Sequence, residues 1–239
     1  MKIEEVVQKV LSLGRGCQRA KIDVESAFRV VPVHPHDRHL LGMSWEGNLY
    51  IDTVLPFGLR SAPKIFNSLA DALQWIAQSR GISYLQHFLD DFITAGKQQS
   101  DECECNLLRL IDTCDHLGFP IASDKREGPT TCLIFLGIDM DTVLFELRLT
   151  AQKLARLKST LQRWSHLKSC RKRELQLLVG LLHDASIVVS PGRTFIRRLI
   201  DLLKSAHQRP SHSFLRLNLA ARSDILWWYT LLRHGMAYQ

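Results

Sequence analysis

Apolar positions at the start of the chain recur at helical spacing. Ile3, Val6, Val7, Val10 and Leu11 share one face, and the run ends at Gly14, a residue suited to a C-terminal cap. "AKIDV" at 20–24 then reads as a short strand. "HLLGMSW" and "NLYIDTV" alternate apolar and polar residues around Glu46-Gly47, which predicts a hairpin. In "SAPKIFNSLADALQWIAQSRG" apolar residues at 65, 66, 69, 72, 73 and 76 return to the helical period. Ser61 is placed as its N-cap, Pro63 falls in its first turn and Gly81 stops it. "ISYLQHFL" and "FITA" predict two strands with Asp90-Asp91 at their junction, followed by a helix over 101–117 that stops at Gly118. "CLIFLGIDM" and "VLFELRL" predict a hairpin turning at Asp141-Thr142. Beyond Thr150, an N-cap residue, the pattern is helical throughout: 151–165, 170–189, 192–206 and 219–233.

With the hairpin at 39–54 set aside as an insertion, the first half runs strand, helix, strand, strand, helix, strand. This is the split βαβ order, so the fold class expected is α+β: a ferredoxin-like antiparallel sheet with helices on one face, followed by a helical region. In that topology the end of the first strand and the turn joining the second and third lie at one edge of the sheet. Asp23 ends the first strand and Asp90 and Asp91 occupy the turn, so three carboxylates distant in sequence are predicted to converge. Like charges held together push a pKa upward unless a cation joins them. Oxygen-only ligands favour magnesium, and two such ions can activate an attacking hydroxyl and stabilise a leaving oxygen, which is polymerase or nuclease chemistry. The alternative for Asp-Asp is a pair of ordinary turn residues. Its flanks, Phe88, Leu89, Phe92 and Ile93, supply none of the glycine or asparagine that a tight turn calls for.

Composition changes this picture in one place. Residues 1–145 hold 14 Lys and Arg against 19 Asp and Glu, a net −5; residues 146–209 hold 14 against 4, a net +10. A helical segment this basic suits a surface facing phosphates, the alternative being a solvated helical face, and a boundary is expected near 146. No run of about 18 uncharged apolar residues is present, and "MKIEEVVQKV" has acids where a signal peptide begins basic. The chain is therefore expected to be intracellular, in cytoplasm or nucleus, without membrane association. Six cysteines without paired spacing read as reduced thiols, and "HPHDRH" at 34–39 lacks partners at metal-ligand spacing.

Three motifs together resemble a reverse transcriptase: "KIDVESAFRVVPVHP" its first metal-binding strand, "LPFGLRSAPKIFN" its nucleotide-side loop and helix, and "FLDDF" its Tyr-x-Asp-Asp hairpin. "SDKREG" and "FLGIDMD" resemble its lysine-bearing turn and primer-grip hairpin, so the likeness covers about residues 18–206. The wording of "SAFRVVPVHPHDRHLLGMSW" and "SCRKRELQLLVGLL" is similar to retrotransposons of the tyrosine-recombinase, DIRS-like type. The resemblance implies a palm with a remnant of the fingers over 1–145, a basic helical thumb over 146–209, and over 210–239 the start of a connection toward an RNase H region. It implies that Asp23, Asp90 and Asp91 hold two Mg2+ ions, with Mn2+ as a substitute, near the Val24 carbonyl. Phe28 would be the steric gate against a 2′-hydroxyl; Phe57, Gly58 and Arg60 would line the nucleotide side. Lys125 would neutralise or protonate departing pyrophosphate, and Phe135, Leu136 and Gly137 would hold the primer end. Implied partners are an RNA or DNA template with primer and deoxynucleoside triphosphates. This sequence departs from the pattern in two ways: Phe88 replaces the motif tyrosine, and only about twenty residues precede Asp23, where a fingers region is expected. The chain therefore reads as a fragment of a longer polyprotein. Two functions follow as expectations: a polymerase fragment, or an inactive nucleic-acid-binding remnant.

Overall fold

A computed structural model of the chain describes residues 3–233. They divide into two compact units, one running up to Phe135 with Thr142–Leu144 added, the other comprising Leu136–Asp141 and everything from Phe145 on.

In the first unit α1 (Ile3–Leu13) buries Ile3 and Val6, and Gly14 follows at φ +87, the left-handed conformation its cap position asks for. After β1 (Gln18–Asp23) comes the expected hairpin, β2 (Gly42–Trp45) with β3 (Asn48–Ile51). Its turn residues Glu46 and Gly47 both take positive φ, as a tight turn between twisted strands requires. Next, α2 (Ala62–Ser79) carries Pro63 in its first turn; Ser61 takes the expected N-cap position, although its side chain makes no cap bond. Then come β4 (Leu85–Phe88), β5 (Asp91–Gly96), α3 (Glu102–Leu117), β6 (Glu127–Thr130) and β7 (Cys132–Phe135).

Four of these strands form a sheet in the order β4-β5-β1-β6, each neighbouring pair antiparallel. Because β5 lies between β1 and β4 and opposes both, β1 and β4 point the same way, which is the split βαβ arrangement. Helix α2 packs on β4 and α3 on β5 and β1. Between them lies a core of Ile22, Phe66, Leu73, Leu85, Phe92, Leu107 and Leu110. Each such side chain contributes about 1.5–3 kcal/mol on burial. The fourth strand is not the expected "CLIFLGIDM" but "EGPT", which proline and glycine hide from a strand search. Both are tolerated for physical reasons. Pro129 sits on the sheet's edge, and a Cβ at Gly128 would collide with the Arg19 carbonyl and lie 2.8 Å from Ala20 Cα, so only glycine permits the approach of β6 to β1.

In the second unit β8 (Ile138–Asp141) pairs antiparallel with β9 (Glu146–Leu149). The segment read as one strand, "CLIFLGIDM", is thus two, broken where Leu136 and Gly137 both take positive φ. The turn expected at Asp141-Thr142 spans 142–145 instead. Four helices follow: α4 (Ala151–Trp164), α5 (Lys172–Ala185), α6 (Arg197–Ser205) and α7 (Leu219–Arg233). Thr150 caps α4, its Oγ1 accepting from the Lys153 N–H at 3.4 Å. The helix expected over 170–189 is shorter, because β10 (Ser169–Arg171) pairs with β11 (Phe214–Arg216) ahead of it. That expected over 192–206 begins as a 3-10 turn, Ser190–Ile196, around Pro191. A single apolar cluster joins the helices through Leu161, Trp164, Leu178, Leu182, Leu199 and Trp228. The tryptophans of α7 therefore belong to this unit's packing. Among the described residues no helix is long and apolar enough to cross a membrane.

Candidate active site

Strand β1 runs apolar at Ala20 and Ile22 and ends at Asp23, whose side chain is 13% exposed. Register sets Asp23 directly opposite Asp91, the first residue of β5. Directly opposed residues of an antiparallel pair project from the same face. Asp90 occupies the turn from β4, and its carbonyl accepts the Val24 N–H at 3.0 Å, lashing the turn to the end of β1. Register thus opposes two of the three acids, and the turn that carries the third is bonded to the end of β1.

The turn itself is strained. Phe88 pairs with Asp91, so Leu89 and Asp90 are its two central residues, and Leu89 takes φ +53 where glycine is usual. A side chain in that conformation costs about 1–2 kcal/mol, and it persists only where the surroundings over-determine it. Those surroundings are visible. His87 is 4% exposed, its ring stacks on Phe92 at 5.1 Å, its Nδ1 lies 3.3 Å from the Leu89 carbonyl oxygen and its Nε2 lies 3.0 Å from Asp71 Oδ1 on α2.

Burial lifts the Asp91 carboxyl to about 6, with the Asp90 and Asp23 charges adding to it and Lys21 and Lys125 opposing. Asp90 is also raised, chiefly by burial; its backbone hydrogen bond and Lys125 pull the other way, and Asp23 adds to the rise. Lys125 places Nζ 3.0 Å from Asp23 Oδ1, and that hydrogen bond, with the Asp23 charge behind it, raises its ammonium pKa. Among the described residues no three or more His, Cys, Asp or Glu side chains converge as a finished metal cage. The donor chemistry nevertheless fits a hard divalent cation: the Asp23 charge adds to the cost of ionising both Asp90 and Asp91, and Asp23 itself already holds an ammonium.

The residues expected on the nucleotide side divide. Val24 is buried beside the acidic turn, while half-buried Phe28 packs its ring on Phe57 at 5.4 Å and on Phe66 at 5.8 Å. Phe57 is 70% exposed and Gly58 takes φ +90, so an aromatic shelf and an open backbone stand together. Arg60 is exposed to solvent. Of the residues expected at the primer end, Phe135 is a buried core residue, whereas Leu136 and Gly137 form the bend before β8. Lys153 Nζ donates to the Leu136 carbonyl at 3.1 Å, and a Cβ on Gly137 would overlap that lysine.

Three residues here escape sequence reasoning. Lys21 faces the acids from two positions before Asp23 and donates to the Ile134 carbonyl at 2.7 Å; strand alternation was the available signal. His87 and Asp71 give none, since neither spacing nor motif links them.

A sequence profile of the family described as reverse transcriptase (RNA-dependent DNA polymerase) matches residues 3–140. The Pro-Pol polyprotein of feline foamy virus is 27% identical over 130 residues, 54% of this chain and 11% of that polyprotein. The Gag-Pro-Pol polyprotein of Mason-Pfizer monkey virus is 23% identical over 215 residues, 86% of this chain and 11% of its own length. The chain thus spans about a tenth of these relatives. Among solved structures, a foamy viral protease-reverse transcriptase dRH in complex with double-stranded DNA superposes with TM-score 0.67 at 18% identity, over 98% of this chain and 38% of the other. The same viral enzyme in complex with RNA/DNA hybrid gives 0.64 at 18%, over 93% and 28%. At this identity the likeness establishes the α+β polymerase fold.

Proposed function

Since this chain belongs to the reverse transcriptase (RNA-dependent DNA polymerase) family, we propose that it extends a primer with deoxynucleotides on an RNA or DNA template. The observation that carries the reading is the cross-strand pairing of Asp23 with Asp91, with Asp90 beside them in the turn. Two Mg2+ ions held by these carboxylates would supply activation of the primer hydroxyl and stabilisation of the leaving oxygen, with Mn2+ as a substitute. The remaining work falls to the chain's own side chains. Phe28, backed by Phe66, presents a ring that leaves no room for a 2′-hydroxyl and so favours deoxynucleotides. Phe57 and Gly58 form the open side of the nucleotide pocket, where backbone approaches the ligand without a side chain between. Arg60, facing solvent, meets phosphate or template. Lys125 stands on Asp23 and delivers charge or a proton to departing pyrophosphate. Leu136 and Gly137 hold the primer end at their bend. The basic helices from α4 onward grip the duplex backbone as a thumb, residues 210–239 lead toward a connection, and the element of origin is a DIRS-like retrotransposon acting in the cytoplasm or nucleus.

Primer extension in Mg2+ and in Mn2+ tests this, with template-primer affinity measured in parallel. Wild type is expected to incorporate deoxynucleotides, and Asp90→Asn to abolish incorporation while retaining affinity and a melting temperature no lower than wild type. Incorporation by Asp90→Asn overturns the assignment; tight, salt-sensitive binding without incorporation by wild type points to a nucleic-acid-binding remnant.

A further inference from the structure

We infer that His87, braced by Asp71, is a positioning residue that sets the acidic turn for cation binding; the inference rests on the carboxylate-metal reading above. Strand β4 turns Leu85 and His87 inward, and an aliphatic residue at the second position would satisfy the core. An imidazole there needs polar partners, and it has one on each side. Nδ1 faces the Leu89 carbonyl oxygen at 3.3 Å and Nε2 faces Asp71 Oδ1 at 3.0 Å. Asp71 is in turn held by Asn67, whose Nδ2 donates to Oδ2 at 2.9 Å. A chain of polar contacts therefore runs from α2 through His87 to the one residue of the turn in a left-handed conformation, next to Asp90.

Each ring nitrogen faces an oxygen, so the imidazole is held between the turn and α2 by polar contacts that an aliphatic side chain could not make. The stack on Phe92, a core residue of β5, fixes the ring plane from the other strand of the same hairpin. The Leu89 carbonyl thus meets the imidazole from the sheet interior while the Asp90 carbonyl is pinned by Val24, so the backbone on both sides of Asp90 is held. This is the role that outer partners play around metal ligands, where their loss lowers metal affinity about 10- to 100-fold.

The test is Mn2+ binding to the full chain, followed by electron paramagnetic resonance of the free ion, with urea unfolding on the same samples. His87→Leu keeps the apolar packing and is expected to unfold at the wild-type midpoint or above, yet to bind Mn2+ about tenfold more weakly. Asp71→Ala, at an exposed position that does not threaten the fold, is expected to weaken binding in the same direction, and His87→Gln, which keeps a donor, to restore part of it. Wild-type Mn2+ binding that Asp91→Asn abolishes but that His87→Leu and Asp71→Ala leave within twofold overturns this inference alone. Absence of Mn2+ binding by wild type, or binding indifferent to Asp91→Asn, removes the metal reading and this inference with it.

Discussion

Asp91 shows how a single residue's chemistry depends on its neighbours. A carboxyl whose native pKa is raised to about 6 binds its proton more tightly folded than unfolded. The native state then holds more protons between the ordinary carboxylate value and about 6, and stability falls as pH rises through that window. Asp91→Asn removes the effect, so its melting temperature should match wild type near pH 4 and exceed it at pH 8, as thermal unfolding across pH would reveal. Equal melting temperatures at both pH values would mean that neither burial nor the neighbouring acids raise the Asp91 carboxyl. At this scale the sequence identified the three acids by topology and left out what tunes them. Lys21, His87 and Asp71 become neighbours of the site only after strand register and helix packing are set.

Two elements carry consequences of their own. The β2–β3 hairpin leaves Trp45 66%, Leu49 86% and Ile51 57% exposed, an apolar strand pair with nothing described over it. Leu49→Lys with Ile51→Lys should suppress concentration-dependent light scattering while leaving the unfolding midpoint within about 0.5 kcal/mol, the usual range for surface changes. At the other end of the chain, α7 lays Trp228 over Gly192, where a Cβ would enter the indole ring. Gly192→Ala should therefore cost about 1–3 kcal/mol by overpacking, visible in urea denaturation followed by tryptophan fluorescence. The helices and the β2–β3 hairpin were legible because periodicity is local. Strand β6 was not, since "EGPT" becomes a strand only against the backbone of β1. The turn misplaced at Asp141-Thr142 has a similar origin: Thr142 is 1% exposed, its N–H bonds the Thr131 carbonyl at 2.9 Å and its Oγ1 donates to the Cys17 carbonyl at 2.8 Å. These partners are far away in sequence.

For the molecule as a whole the informative quantity is the charge division, net −5 before residue 146 and +10 over the next 64. If the basic helices meet phosphates, template-primer affinity should fall steeply with salt, and charge neutralisation of two contacting residues should lower the log-log slope by about one each. Lys158→Gln with Arg163→Gln, on the exposed face of α4, is the variant to compare by fluorescence anisotropy over a salt series. An unchanged slope would assign that face to solvent alone.

What the sequence determined by itself was order and period: which segments are helices, that the strands follow a split βαβ succession, and that Asp23 must approach Asp90 and Asp91. Those conclusions rest on short-range stereochemistry and on the few ways strands of that order can connect. The tertiary structure alone decided the register that opposes Asp23 to Asp91, the edge strand admitted by Gly128, and the buried histidine behind the turn. Each depends on backbone approach between segments dozens of residues apart, and no local pattern encodes such distances.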